Sequence, residues 1–476
     1  MLKNASGKIS RVFQFAVLIL MAAQILVGCA WGFLNCSSLQ AFPDTAELVK
    51  LSGTLKITGD TGILYPALLI VIRTLTVNGP VLFYHVMYLL QIVLALVSWF
   101  VFARNVFSFD SKYKDAFFAL AVVTNPYAMQ VHLAVLEYSF VSSFVCLLVS
   151  YQIRFMREWK DAEKKPGLEK AMRDISVTSL FWLASALTRK EFIFIGSLPV
   201  LALLITIVKR FAKTDSKKAL IIASPIILVL AFTGIICMSD SLFRSGEKLS
   251  PLDSVKRSLY YRIAWTEDLQ DRFHWPEYLV TIVDEDSMIH FMNDPGIVRP
   301  GLADCISEKV GTKETSDYFL QWARIRFSDN KKGIVLETAS DFLGYLFVPA
   351  KTEYVLKGNG YPGFVAGNYD VMKQHTPRLT KVYLRYFSIA YRIMLICFAI
   401  CLILEMIVRD KKDKSVVSKK SLYLPAAVIA LFTSIGYTFL GCNVFDHRKA
   451  LFTTCMWIAL FVCYSLKALD NKTSED

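Results

Sequence analysis

The run Ile175–Val208, which reads ISVTSLFWLASALTRKEFIFIGSLPVLALLITIV, decides the fold. Its 34 residues are mostly apolar, but Thr188, Arg189, Lys190 and Glu191 interrupt it in the middle. As one helix rising about 1.5 Å per residue, it would far exceed a hydrocarbon core roughly 30 Å thick. The run therefore predicts two short membrane helices that turn at these four residues. Ions at membrane depth need protein or a wet cavity around them, so this turn is a candidate site.

Comparable apolar runs occur in both halves of the chain, which has 476 residues, 54% of them hydrophobic and 20% charged. This composition excludes an ordinary soluble enzyme and predicts an all-α polytopic membrane protein. We predict ten spans, at Val12–Phe33, Val81–Ala103, Ala116–Leu133, Tyr138–Met156, Ile175–Leu187, Phe192–Val208, Ala219–Met238, Arg385–Val408, Ser421–Gly441 and Ala450–Leu466.

The distribution of basic residues predicts the orientation of these spans. Lys and Arg cluster in alternate connecting segments, such as 157–173, 209–218 and 409–420, whereas the short loops on the other side hold few. By the positive-inside rule, both termini are then cytoplasmic. The net charge of +13 is explained by these segments, so nothing indicates nucleic acid as a partner.

The apolar segment Gly62–Val77 is short and contains Pro66 and Arg73. Counting it as a span would reverse the charge pattern downstream, so we predict a helix lying along the outer surface. It belongs to the first outer loop, 34–80, within an N-terminal transmembrane module, 1–238. Residues 239–384 form an extracytoplasmic domain with helices near Asp317–Phe327 and Ile334–Phe347. The last helices and a short cytoplasmic tail occupy 385–476.

In this topology, charged residues from four separate loops lie on the outer face: Asp44 with Glu47, Glu137, Arg189 with Lys190, and Arg448. Carboxylates and cations at an apolar surface suit transfer of a sugar from a polyprenyl phosphate. The leaving phosphate is already anionic, so cations stabilise its charge, and one carboxylate takes the proton of the acceptor. Direct displacement with a single base predicts inversion. No Cys or His pair has metal-ligand spacing, which leaves a metal unknown.

Several of these residues resemble the GT-C glycosyltransferases, in particular protein O-mannosyltransferases and the bacterial transferases that add aminoarabinose to lipid A. In that family a catalytic Asp follows the first span, and a Gly-Asp pair lies some fifteen residues further on. Asp44 here follows Pro43, and Gly59 with Asp60 come at that distance. A proline-containing surface helix comes next in the family, as it does here at Leu64–Ala67. Three further features complete the resemblance. Glu137 matches an acidic residue in the next outer loop of the family, and Arg448 matches a basic residue before the last helix. Arg189 and Lys190 match basic residues at the short-helix turn.

The resemblance implies a ten-helix GT-C fold in the plasma membrane of a bacterium, with the site on its outer face. It implies Asp44 as general base, and Arg189, Lys190 and Arg448 as ligands of the donor phosphate. Glu47, Glu137 and Asp60 are supporting acidic residues, and of these Glu137 and Glu47 would orient the acceptor or a divalent cation. The partners are a polyprenyl-phosphate sugar, membrane lipid and an extracytoplasmic glycan, lipid or protein acceptor.

Three alternatives remain open. A transporter or flippase for a polyprenyl-linked or other amphipathic anion would also use a basic outer vestibule. A non-catalytic assembly subunit would leave Asp44 far from Arg189. Asp44 could also serve only as the N-cap of a helix, since it follows Pro43 and precedes a helical stretch. The same topology suits the endoplasmic reticulum with a lumenal site.

Overall fold

The structure, a computed structural model, describes a part of the chain that is mostly helical. The described residues are 2–35, 48–49, 51–56, 61–160, 168–189, 192, 228, 231–239, 242–243, 253, 256–257, 259, 306–347, 378–408 and 451–473. Within them there is no β-strand, although an isolated bridge joins Thr61 and Arg189. The helices are α1 (Leu2–Asn35), α2 (Leu64–Leu75), α3 (Pro80–Phe102), α4 (Lys112–Val123), α5 (Pro126–His132), α6 (Glu137–Lys160), α7 (Leu168–Thr188), α8 (Thr312–Asp329), α9 (Lys331–Phe347), α10 (Phe387–Val408) and α11 (Leu451–Thr473).

Three helices of this part are long and apolar enough to cross a membrane. They are Arg11–Leu34 in α1, Pro80–Phe107 in α3 with the π-helical turn that follows it, and Glu137–Phe155 in α6. Apolar side chains also cover outer faces of the helices. On α10, four exposed isoleucines repeat at helical spacing, at Ile389, Ile393, Ile396 and Ile400. Exposed apolar stripes of this kind suit lipid rather than water. The chain is therefore a helical membrane protein.

The segment Gly62–Val77 contains a helix, α2, as predicted. Its 12 residues extend over about 18 Å, too short to cross a bilayer. After α2 the backbone turns through Val77 and Asn78, which have φ angles of 51° and 57°. Arg73 Nε donates a hydrogen bond of 2.8 Å to Asn78 Oδ1, which ties the turn to the last turn of the helix.

The predicted span Ala116–Leu133 is not one continuous helix. The segment forms two helices, α4 and α5, which are interrupted at Thr124 and Asn125. Pro126 cannot donate a backbone hydrogen bond and favours the first position of a helix. Asn125 Oδ1 caps the new helix by accepting from the backbone N–H groups of Tyr127, at 2.9 Å, and Ala128, at 3.0 Å.

Polar side chains satisfy the backbone carbonyls that this interruption leaves at the end of α4. Gln24 Nε2, from α1, donates to the Ala121 carbonyl at 2.7 Å. Tyr383 Oη, from the π-helical turn before α10, donates to the Thr124 carbonyl at 2.6 Å. Gly28 of α1 lies against the same point, because a Cβ placed there would come within 2.7 Å of the Thr124 carbonyl oxygen. The interruption is thus a packed feature of the fold.

The chain divides into two compact units, one within Met1–Arg244, Pro349–Ala430 and His447–Asp476 and the other within Ser245–Val348 and Leu431–Asp446. In the first unit, contacts between aromatic rings join α1, α10 and α11. The ring centroid of Phe398 lies 6.3 Å from that of Phe13 and 5.5 Å from that of Phe461. The predicted domain boundaries at 238 and 384 remain predictions.

In the second unit, both helices predicted near Asp317–Phe327 and Ile334–Phe347 are confirmed, as α8 and α9. Lys256 forms ion pairs with Asp317 of α8 and with Asp253. The hydrogen bond from Lys256 to Asp317 raises the pKa of the Lys256 ammonium above its ordinary value of 10.5. Arg257 Nε donates to Ser316 Oγ at 3.2 Å, so the neighbouring cations Lys256 and Arg257 both bind to side chains of α8.

The spans predicted at Phe192–Val208 and Ala219–Met238 lie mostly outside the described residues, and the one at Ser421–Gly441 lies wholly outside them.

Candidate functional site

Glu137 and Arg189 form a buried ion pair where the start of α6 meets the end of α7. Nη1 of Arg189 donates to Oε1 of Glu137, and the two side chains are only 7% and 3% exposed, respectively. Glu137 is the first residue of α6, where the partial positive charge of the helix N-terminus favours a carboxylate. The pair is therefore a neutral but strongly polar unit at the end of two largely apolar helices.

The turn between α5 and α6 places Glu137. Gln91 of α3 is fully buried, and its Nε2 donates to the carbonyls of His132, at 2.7 Å, and Ala134, at 2.8 Å. The His132 ring adds a hydrogen bond of 2.7 Å between its Nδ1 and Ser139 Oγ. Because these bonds fix both sides of the turn, the backbone of Glu137 has little freedom to move relative to α3.

Arg189 is held by contacts on its backbone and on its side chain. Its backbone N–H donates to the Ser185 carbonyl at 2.9 Å, so it continues the hydrogen bonding of α7. Its guanidinium carbon lies 4.3 Å from the ring centroid of Tyr138, a cation–π contact. The planar guanidinium is thus oriented between a carboxylate and an aromatic face.

The first loop after α1 crosses the end of α7 at this point. Thr61 forms an antiparallel bridge with Arg189, and the Gly62 N–H donates to the Thr188 carbonyl at 2.8 Å. A Cβ at Gly62 would overlap the Leu187 carbonyl, so only glycine permits this approach of the two backbones.

Tyr65 completes the group that we call the rim cluster, which consists of Tyr65, Glu137, Tyr138 and Arg189. Its ring, at the start of α2, packs edge-on against Phe140 of α6 with 5.7 Å between centroids. Burial, and then the negative charge of nearby Glu137, raise the pKa of the Tyr65 hydroxyl well above its ordinary value. Tyr65 therefore keeps its proton and is a hydrogen-bond donor.

The structure brings together two of the residues that the sequence predicted for the site, Glu137 and Arg189. The other five lie outside the described residues: Asp44, Glu47, Asp60, Lys190 and Arg448. Asp60 and Lys190 are adjacent in sequence to Thr61 and Arg189, whose backbones pair. No group of three or more His, Cys, Asp or Glu side chains that could hold a metal ion occurs in the described part.

Sequence reasoning missed the roles of Tyr65 and Tyr138. The sequence pattern included Tyr65 only within the proline-containing helix Leu64–Ala67, and Tyr138 only as the first residue of a predicted span. The signal for Tyr138 was its position directly after Glu137, because an aromatic residue beside a charged one at a membrane boundary can contact the partner of that charge. The sequence contains no comparable signal for Tyr65.

The chain matches no family model, no curated protein and no solved structure. The resemblance to the GT-C glycosyltransferases therefore stays a prediction, and the case for a function depends on the rim cluster.

Proposed function

We propose that the protein is a membrane glycosyltransferase of the GT-C type, which moves a sugar from a polyprenyl-phosphate donor to an extracytoplasmic acceptor. The observation that carries this proposal is the buried pair of Glu137 and Arg189 beside the first outer loop. An oriented guanidinium at the ends of apolar helices suits a ligand that combines a phosphate with a hydrocarbon tail. Arginine binds phosphate oxygens through two parallel N–H groups, which gives both affinity and orientation.

In the proposed reaction, Asp44 removes the proton from an acceptor hydroxyl, and the oxygen attacks the anomeric carbon of the sugar. The bond from that carbon to the phosphate oxygen breaks, and polyprenyl phosphate leaves with the electron pair. Arg189, supported by Lys190 and Arg448, stabilises the negative charge that develops on the leaving oxygen. Attack opposite the leaving group inverts the configuration.

We assign Glu137 to orienting Arg189, because its Oε1 accepts the hydrogen bond from the guanidinium. Glu47 is then the acidic residue proposed to orient the acceptor or a divalent cation, with Asp60 as a further supporting acidic residue. The first outer loop carries both of them as well as Asp44, and it meets Arg189 through Thr61. This meeting supports the placement of a base from that loop near the phosphate ligand.

The proposed topology has ten spans with both termini in the cytoplasm and the site on the outer face, in a bacterial plasma membrane. Two structural features support a common side for the site: the start of α6 and the end of α7 meet, and the segment after α1 reaches them. Helices that cross in alternate directions bring these ends to one surface.

The test is transfer of label from a radiolabelled polyprenyl-phosphate sugar to membrane acceptors in vesicles that contain the full chain. Asp44→Asn should abolish transfer while leaving insertion unchanged, because an amide cannot take the acceptor proton. Asp110→Asn is the matched control, since this carboxylate is exposed and lies in an ion pair with Lys114, away from the proposed site. Full transfer by Asp44→Asn would overturn the catalytic assignment. Movement of labelled lipid between leaflets without any transfer would favour the flippase instead.

A further inference from the structure

The turn between α2 and α3 carries a group of exposed apolar side chains that we call the apolar tip. It consists of Val71, Leu75, Val77, Val81 and Leu82. Val77 is 85% and Leu75 is 73% exposed, which makes these two side chains the most exposed of the group. Apolar side chains grouped in this way on a surface mark a contact with lipid or with another protein.

The backbone of the tip is strained at Val77. The N–H of Asn78 donates to the Arg73 carbonyl at 3.0 Å, and the N–H of Val77 donates to the Thr74 carbonyl, also at 3.0 Å. These two bonds form a Schellman helix end, in which glycine usually occupies the left-handed position that Val77 holds here, with a φ of 51°. A positive φ raises the free energy of a β-branched residue, and a side chain so exposed gains little packing in return. The valine therefore calls for a contact outside the chain.

The rest of α2 is packed against the protein. Its buried residues are Tyr65, Pro66, Leu69 and Ile72. The Tyr65 ring contacts α6 through Phe140, and the N–H of Gly62, just before the helix, binds a carbonyl at the end of α7. The start of α2 is thus held at the rim cluster, whereas its other end carries the exposed tip.

The tip continues the exposed face of α3. This helix begins at Pro80 and belongs to a helical stretch that is long and apolar enough to cross a membrane. Its exposed residues Leu82, Leu89, Val93 and Val97 repeat at helical spacing and form one apolar stripe. A stripe of this kind on a membrane-spanning helix faces lipid. Because Leu82 belongs to both the stripe and the tip, the two surfaces are continuous.

The side chains of the tip favour lipid over a second copy of the chain as the partner. Helices that associate within a bilayer use small residues such as glycine, alanine and serine, because these let the backbones approach closely. The tip and the α3 stripe consist of leucine and valine alone. Such branched side chains keep backbones apart and suit contact with acyl chains.

We propose that the apolar tip inserts among the acyl chains of the leaflet that surrounds the start of α3. The partner is the hydrocarbon part of a phospholipid. With its start held at the rim cluster and its end in lipid, α2 fixes the height of the rim cluster relative to the acyl chains. This contact is independent of the proposed sugar transfer, because lipid surrounds the tip whatever the substrate is.

The experiment places a photoreactive benzophenone amino acid at one position at a time in the full chain, in vesicles of radiolabelled phosphatidylcholine. Irradiation links the benzophenone to C–H bonds within its reach, so the label bound to the chain measures contact with lipid. The test positions are Leu75 and Val77, and Ile396 in the exposed stripe of α10 is the control for lipid contact. The matched controls without lipid contact are Leu69, which is buried in α2, and Asp110, which is exposed in an ion pair.

Labelling at Leu75 and Val77 should match that at Ile396, and mass spectrometry should locate the new bond on an acyl chain. It should exceed labelling at Leu69 and Asp110 by about tenfold or more, since hydrocarbon is favoured over water by at least that factor for a buried leucine side chain.

Three results would overturn the proposal. Labelling at Val77 no greater than at Asp110 would show that the tip faces water, and links to a second copy of the chain would show that another protein covers it. Bonds to the lipid headgroup alone would show that the tip lies on the membrane surface without entering it. None of these results depends on sugar transfer, so failure here is distinct from failure of the proposed function.

Discussion

Replacing either member of the Glu137–Arg189 pair alone should destabilise the protein by about 3–5 kcal/mol, since it leaves one buried charge without its partner. The burial of the two side chains justifies this magnitude, because both are less than one tenth exposed and water screens them little. Arg189→Gln also removes the cation–π contact with Tyr138, worth about 0.5–2 kcal/mol. It should therefore have the larger effect of the two single substitutions.

The double variant Glu137→Gln, Arg189→Gln should be much more stable than the sum of the single variants implies, with a coupling energy of about 2 kcal/mol or more. Two neutral amides leave no buried charge and can bond to each other. The control is the pair Lys114–Asp110, at 2.9 Å, whose carboxylate is exposed and for which the same cycle should give about 0.5 kcal/mol or less.

Pulse proteolysis across a denaturant series in mixed micelles measures the free energy of unfolding for each variant. A loss of 3 kcal/mol raises the unfolded population by about two orders of magnitude, which this assay resolves easily. Single substitutions that each cost less than about 1 kcal/mol would show that the pair is solvated. The reasoning from burial would then be refuted.

Two further predictions concern the loop crossing and the second unit. Gly62→Ala should loosen the bridge to α7 and weaken transfer of the labelled sugar, because its Cβ would overlap the Leu187 carbonyl. The control is Gly234→Ala, in the helical stretch 231–239, which has open space around it and should stabilise that stretch by about 1 kcal/mol. Lys256 has a raised pKa in the folded protein, so its contribution to stability is fully present below pH 10.5 and is lost as the pH rises through the raised pKa. Asp317→Asn should lower that pKa and speed acylation of Lys256 near pH 9 by several fold, as peptide mass spectrometry would show, and an unchanged rate would contradict the ion pair.

Much of the helical layout of the described part could be predicted from hydropathy and charge. The segments Val12–Phe33, Val81–Ala103 and Tyr138–Met156 are mostly apolar, and each coincides with a helical stretch that is long and apolar enough to cross a membrane. The interruption at Asn125 was not predicted, because hydropathy averages over windows and does not detect a local cap followed by proline. Gln24 and Tyr383, which donate hydrogen bonds to the carbonyls at this interruption, are distant in sequence, and no local pattern identifies them.

The candidate site could be predicted in part, because placing a charge at membrane depth costs free energy unless protein or water surrounds it. That argument selected Arg189 as the centre of the turn and Glu137 as an acid on the same side, and the structure pairs them. It could not predict that Arg189 would be neutralised by Glu137, because the charge pattern assigns sides of the membrane and not contacts. Nor could it place Tyr65 in the rim cluster, because the packing of its ring against Phe140 joins residues that are distant in sequence.

The interruption between α4 and α5 has a consequence for synthesis of the chain. The carbonyls there accept hydrogen bonds from Gln24, made 97 residues before Ala121, and from Tyr383, made 259 residues after Thr124. During synthesis, Gln24 is therefore made before the carbonyl that it binds, whereas Tyr383 is made long after the Thr124 carbonyl. A polypeptide that ends before Tyr383 therefore lacks the donor to the Thr124 carbonyl, so truncation there should destabilise the junction of α4 and α5 even though both helices are complete.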